Sequence, residues 1–218
     1  MALPKLQLAL DVLSIEAALQ AVQPVRDFVD IIEVGTVLLA AQGHRAIQIL
    51  KAAFPEKIIV ADGKIADAAS VFGPLFFDSS AHYITAICAA ETATIAQLVA
   101  LAQTYNPPRE VQVELTSHFN WQQVSEWRAA GVTQVVYHRA RDVQAAGKTW
   151  STKDLETIRA LNQAGFKVTV AGGIMPADIK LFQGLPIEIF IAGRALREGA
   201  NPTQMAKEFH DEFQKYWK

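Results

Sequence analysis

Eight short apolar runs, rich in β-branched residues, recur along the whole chain, at residues 6–10, 31–34, 58–61, 83–87, 111–115, 134–137, 167–170 and 187–191. Nearly continuous apolar character marks strands covered on both faces, as in parallel sheets. The segments between the runs carry helical spacing. Ala46, Ile47, Leu50 and Phe54 form one stripe, and Ile95, Leu98, Val99 and Ala102 another. Ser14 is placed to cap the first helix, Pro176 to open one, and Gly131 and Gly165 to close two others. Eight strand–helix units in 218 residues average about 27 residues each, compact but sufficient for one (β/α)8 TIM barrel spanning 1–218. A doubly wound open sheet is the alternative. No linker or low-complexity tract interrupts the pattern, so a single domain is expected.

Composition excludes several function classes. Hydrophobic residues make up 51% of the chain and charged residues 19%, with a net charge of −2. That balance fits a compact enzyme, and without a basic stripe nucleic acid is not an expected partner. No apolar run approaches the roughly 20 residues of a membrane helix. The N-terminus lacks the charged leader and apolar core of a signal peptide. Cys88 is the only cysteine; it cannot form an internal disulfide and reads as a buried thiol. A cytoplasmic protein is the expectation.

Chemistry concentrates at the ends of the apolar runs. Asp62-Gly63-Lys64-Ile65-Ala66-Asp67 follows directly on 58–61, placing three charges in six residues where a strand leaves the core. A solvated turn with acidic residues opening the next helix would explain them; so would a charge network built for catalysis. The other run ends favour the second reading, because barrel active sites form at the strands' carboxyl ends. Asp11 ends the first run, Glu33 lies in the second, Glu114 in the fifth, and His138 and Arg141 follow the sixth. Asp11 could instead cap a helix, Glu33 pair with a lysine, and His138 sit satisfied at a rim. Their common location argues against three separate structural explanations. Glu33 and Asp62 offer hard oxygen ligands for Mg²⁺, which needs only one or two carboxylates. Lys64 beside that metal can stabilise an enolate oxygen. A histidine such as His138 suits proton transfer at neutral pH, and Arg141 can hold a carboxylate or orient water. Gly172-Gly173 and Gly193-Arg194, after the seventh and eighth runs, fit the phosphate-binding loops of many barrels.

With these residues assembled, the chain resembles the 3-keto-L-gulonate 6-phosphate decarboxylases of the orotidine 5′-phosphate decarboxylase suprafamily, nearly from end to end. Asp62-x-Lys64-x-x-Asp67 is similar to the suprafamily's Asp-x-Lys-x-x-Asp signature. Leu8–Asp11, Asp30–Thr36, Val111–Leu115, Tyr137–Asp142 and Phe190–Arg194 are similar to the family's strand ends. The resemblance implies Mg²⁺-dependent decarboxylation of a phosphorylated keto-sugar acid to L-xylulose 5-phosphate and CO₂, in L-ascorbate catabolism. It implies a 1,2-enediolate stabilised by Mg²⁺ and Lys64, and reprotonated by a water that His138 and Arg141 position. Asp11 and Glu114 would contact the substrate, and Gly173, Gly193 and Arg194 would hold its phosphate. It also implies a homodimer with shared active sites, in which Asp67 reaches the partner subunit's site.

One position departs from the family. Ala171 precedes Gly172-Gly173 where the family commonly has threonine, so one substrate hydrogen bond is missing. The related 3-hexulose-6-phosphate synthases, which join formaldehyde to ribulose 5-phosphate, tend to have alanine there. They also tend to lack the equivalents of Glu114 and Arg141, which this chain keeps. The synthase reaction is therefore the alternative, and a non-catalytic phosphosugar-binding barrel a third. The intact Asp62, Lys64 and Asp67 set argues against the last, since a binder needs no buried charge network.

Overall fold

A computed structural model of the chain describes residues 2–116 and 118–217. Eight strands, β1 (Lys5–Leu10), β2 (Ile31–Val34), β3 (Ile58–Ile65), β4 (Tyr83–Ile87), β5 (Glu110–Leu115), β6 (Gln134–His138), β7 (Lys167–Ala171) and β8 (Ile187–Ala192), pair in parallel in chain order. β8 returns to β1, so the sheet closes into the expected (β/α)8 barrel with no free edge. Helices α1 (Ile15–Val22), α2 (Thr36–Gln42), α3 (Arg45–Ala53), α4 (Ala69–Phe77), α5 (Thr92–Ala102), α6 (Trp121–Ala129), α7 (Arg141–Ala145), α8 (Thr152–Gln163), α9 (Arg194–Arg197) and α10 (Pro202–Tyr216) surround it. Among the described residues no helix is long and apolar enough to cross a membrane.

The strands alternate more than their apolar character promises. In β1, Leu6, Leu8 and Leu10 pack outward under the helices and are fully buried, while Gln7 and Ala9 face the barrel interior. Each buried leucine contributes roughly 1.5–3 kcal/mol. A one-residue slip would turn all three away from the helices, which pins the register. The expected stripes face inward, with Ala46, Ile47 and Leu50 buried on α3 and Ile95, Leu98, Val99 and Ala102 on α5. Ser14 caps α1 by accepting from the Ala17 N–H at 3.2 Å. Gly131 and Gly165 stand at φ 90° and 89°, in the expected left-handed turns. Cys88 is buried, with Sγ 3.5 Å from Thr116 Oγ1.

Two expectations need correction. β3 does not end at Ala61 but runs through the charged signature to Ile65. α4 starts only at Ala69, after Ala68 in a left-handed conformation, and has no acidic residue in its first turn. The acidic residues therefore do not open a helix. The seventh crossover, in turn, carries a 3₁₀ helix, Pro176–Phe182, with Pro176 at its start. Its rise of about 2.0 Å per residue, against 1.5 Å for an α-helix, lets a short connection span the barrel wall.

Candidate active site

A cavity of about 810 Å³ opens at the carboxyl ends of the strands. Its floor is set by an irregularity in β3. The pairing of β3 with β4 shifts between Ala61 and Ile65, a bulge along which Asp62 and Lys64 keep the inward alternation of Ile58 and Val60 and line the cavity. Lys64 pays for this with φ 44°, a left-handed conformation costing a non-glycine residue about 1–3 kcal/mol. Its backbone N–H donates to Thr85 Oγ1 at 2.9 Å, which holds the bulge in place. Behind it, a Cβ on Gly63 would come within 2.4 Å of the Phe76 ring on α4, so any other residue there would have to displace that ring.

The charged side chains join across three strands. Lys64 Nζ lies 3.0 Å from Asp62 Oδ2 and donates to Glu114 Oε2. Glu114 Oε1 is 2.6 Å from His138 Nδ1, which must carry the proton because an ionised carboxylate only accepts. Thr85 donates to Asp62 Oδ1 at 2.8 Å and Thr36 lies 2.7 Å from Oδ2. Burial alone would lower the Lys64 pKa, but the carboxylates of Asp62 and Glu114 override it and raise it. Burial alone would raise Glu114, yet the His138 hydrogen bond and the Lys64 charge hold it at about 2. Lys64 is thus a fixed ammonium and Glu114 a fixed carboxylate. A buried ion pair is weak evidence for stability; one that faces a cavity points to chemistry.

Glu33 on β2 is buried and accepts a single side-chain hydrogen bond, from Gln7 Nε2 at 2.7 Å. Burial first, then the Asp62 charge, pushes its carboxyl well above the usual range. Two mutually repelling, partly desolvated carboxylates fit a divalent cation with oxygen preference. Among the described residues no cluster of three or more His, Cys, Asp or Glu could hold a metal, and Glu33 and Asp62 are two carboxylates on adjacent strands facing the same cavity.

The opposite wall is built from the last two βα loops. Gly172 and Gly173 take φ 113° and 64°, and a Cβ on either would strike Arg139 O at 2.3 Å or Gln144 Oε1 at 2.1 Å. Bare backbone therefore borders the cavity. Gly193 and Arg194, at the start of α9, lie beside it, and Arg194 Nη2 donates to Gln144 Oε1 at 3.0 Å. Asp11 also lines the cavity over Gly35, whose Cβ would come within 2.3 Å of its Oδ1. Ser14, not Asp11, caps α1. Arg141 opens α7 at the rim, and Ala171 stands in register with His138.

Every residue expected at the site borders this one cavity except Asp67, which is exposed and lies outside it. Lys64 therefore has Glu114, not Asp67, as its second carboxylate. Sequence reasoning missed Gln7, Thr36, Thr85, Gln144 and Arg197. Period-two reading of β1 would have flagged Gln7, which alternates with three leucines. Arg197 is a partly buried arginine on the cavity wall whose side chain is largely covered, with Nη2 3.5 Å from Glu198 Oε1; nothing in its local sequence distinguishes it from a surface arginine.

A family model, "Orotidine 5'-phosphate decarboxylase / HUMPS family", matches residues 4–209. The chain belongs to this family. Among family relatives, the "Probable 3-keto-L-gulonate-6-phosphate decarboxylase" of Mycoplasma pneumoniae is 53% identical over 218 residues, covering 100% of both chains. The 3-keto-L-gulonate-6-phosphate decarboxylase UlaD of Shigella boydii is 44% identical over 217 residues, again covering 100% of both. KGPDC from Streptococcus mutans, solved as a ligand complex, superposes with a TM-score of 0.96 at 39% identity over 100% of each chain. The 3-hexulose-6-phosphate synthase of Salmonella typhimurium superposes at 0.90 with 31% identity, covering 97% of this chain and 99% of that one.

Proposed function

We propose that this member of the orotidine 5′-phosphate decarboxylase / HUMPS family is a carboxy-lyase. Its reaction is the Mg²⁺-dependent conversion of 3-keto-L-gulonate 6-phosphate to L-xylulose 5-phosphate and CO₂, as a step of L-ascorbate catabolism. The observation that carries this reading is the Asp62–Lys64–Glu114–His138 chain, which faces two glycine loops and Arg194 across one cavity. The names of the full-length relatives support the same substrate.

The chain's own residues divide the work. Arg194 and the Gly173 and Gly193 loops hold the phosphate, and Asp11 lies in the wall beside the sugar. When the bond to the carboxylate breaks, CO₂ leaves and the electron pair moves onto the adjacent carbonyl, giving an enediolate. Lys64, a fixed ammonium, donates to the oxygen where that charge develops. A water held by His138 and Arg141 then delivers a proton to the carbon that lost CO₂, and Glu114 keeps the His138 ring oriented. Glu33 and Asp62 would hold Mg²⁺, whose role is to neutralise charge on the substrate's oxygens.

A second reading, the hexulose-phosphate aldol reaction, draws on Ala171 and on the Salmonella typhimurium structure. Glu114 bridging Lys64 and His138, with Arg141 at the rim, favours the decarboxylase. Assays of both substrates with Mg²⁺, and again with EDTA, separate the readings. Decarboxylation should dominate, vanish on chelation and return with Mg²⁺. Lys64→Ala should lose about 10²–10³-fold in kcat with an unchanged circular dichroism spectrum. Dominant aldol activity, or full turnover after exhaustive chelation, would overturn the corresponding part of the assignment. Asp67 and the exposed face of α4 further support a homodimer with shared sites, in which Asp67 serves the partner's cavity.

A further inference from the structure

Helix α7 carries Arg141 over the cavity but buries no residue of its own. Among the described residues, its side chains reach distant parts of the chain through one hydrogen bond only, from Arg194 Nη2 to Gln144 Oε1 at 3.0 Å. The same amide donates through Nε2 to Arg139 O at 2.6 Å. Its oxygen lies against the open face of Gly173, where a Cβ would sit 2.1 Å away. Gln144 thus occupies the place between Arg194 and the seventh-strand loop that a phosphate oxygen would take.

We propose that Gln144 is a positioning residue, an internal acceptor that holds α7 and Arg141 in place through Arg194 and must yield that contact when a phosphate binds. The proposal rests on the phosphosugar reading of this cavity. The exchange runs in the right direction, because a hydrogen bond from arginine to an anion is roughly twice as strong as one to a neutral amide. After it, Gln144 keeps only its bond to Arg139 O, so α7 is fixed differently with and without phosphate. Phosphate capture and the placement of Arg141 are then one event.

Two variants should move phosphate binding in opposite directions. Gln144→Ala removes the competitor, and Gln144→Glu replaces it with an anion that pairs with Arg194. Since α7 buries nothing, neither substitution threatens the fold. Calorimetric titration with inorganic phosphate should show a Kd about two- to fivefold tighter for Gln144→Ala. For Gln144→Glu it should be at least about tenfold weaker, with the difference shrinking at high salt as the new ion pair is screened. In turnover of 3-keto-L-gulonate 6-phosphate, Gln144→Ala should lower KM, because the competitor is gone, and lower kcat, because α7 and Arg141 lose the bond to Arg139 O that Gln144 keeps with phosphate bound. A side chain that only supported the loop would weaken binding in both variants. That result, or an unchanged kcat and Kd in Gln144→Ala, would overturn the role of Gln144 while wild-type decarboxylation keeps the functional reading. Wild-type protein that neither binds phosphate nor releases CO₂ would overturn both.

Discussion

Ala171 turns its methyl group into the cavity beside His138, where the resembled family commonly places a threonine hydroxyl. Ala171→Thr should therefore raise kcat/KM for 3-keto-L-gulonate 6-phosphate by about three- to tenfold, the worth of one modest hydrogen bond. Any hexulose-phosphate synthase activity should fall in parallel. Both assays on wild type and variant check this, and a decarboxylase loss with unchanged synthase activity would contradict it. At this scale the sequence was most legible where a full charge ended an apolar run. Asp62, Lys64, Glu33, Glu114 and His138 stand out because burying a charge is costly without a purpose. Which charges pair was not legible. Asp67 lies three residues from Lys64 and Glu114 fifty away, yet Glu114 makes the contact. Thr36 and Thr85, which anchor Asp62, are small polar residues whose role appears only when the start of α2, β3 and β4 come together.

Among the elements, strands and helices were legible from periodicity, whereas the bulge in β3 was not. It rests on tertiary contacts, since Gly63 leaves room for the Phe76 ring and Lys64 is held by Thr85 of the next strand. At the other end of the same strand pair, His82 fastens the barrel's floor. Its Nδ1 accepts from the Ile59 N–H at 3.0 Å, and its backbone bonds to both β3 and β5. Burial, with Lys51 and Arg109 nearby, pushes its ring down to about 4. The folded state therefore holds His82 neutral while the unfolded chain binds a proton below about pH 6.5. That contribution to stability is fully present above pH 6.5 and is lost as pH falls toward 4. Because His82 is partly exposed, the loss should be about 1–2 kcal/mol rather than the full shift. His82→Asn keeps an acceptor for Ile59 without titrating, so its urea midpoint should fall less than that of wild type between pH 7 and 4.5. Parallel pH profiles would remove His82 from this role.

At the level of the whole molecule, counting eight apolar runs was enough to indicate the barrel, because a parallel sheet of eight strands escapes free edges by closing. Assembly is not readable from a chain's core, since an interface lies on the surface. Two surface features bear on it. Asp67 lies outside its own chain's cavity, and α4, just after it, exposes Val71, Phe72 and Leu75 at 61%, 41% and 37% while burying Phe76. Three large apolar side chains on one short helix form the kind of patch that a partner covers. In a homodimer, symmetry would repeat that contact and set two sites at the interface, each with Lys64 from one subunit and Asp67 from the other. Lys64→Ala and Asp67→Ala homodimers should then each be nearly inactive, while mixing them regenerates one intact site per heterodimer. Random exchange makes half of the dimers hybrid, so about one quarter of wild-type activity should return. Native mass spectrometry of the mixture establishes how much hybrid has formed. Complete exchange with no gain in turnover would mean that Lys64 and Asp67 serve the same subunit's site, and the shared-site dimer would fall with it.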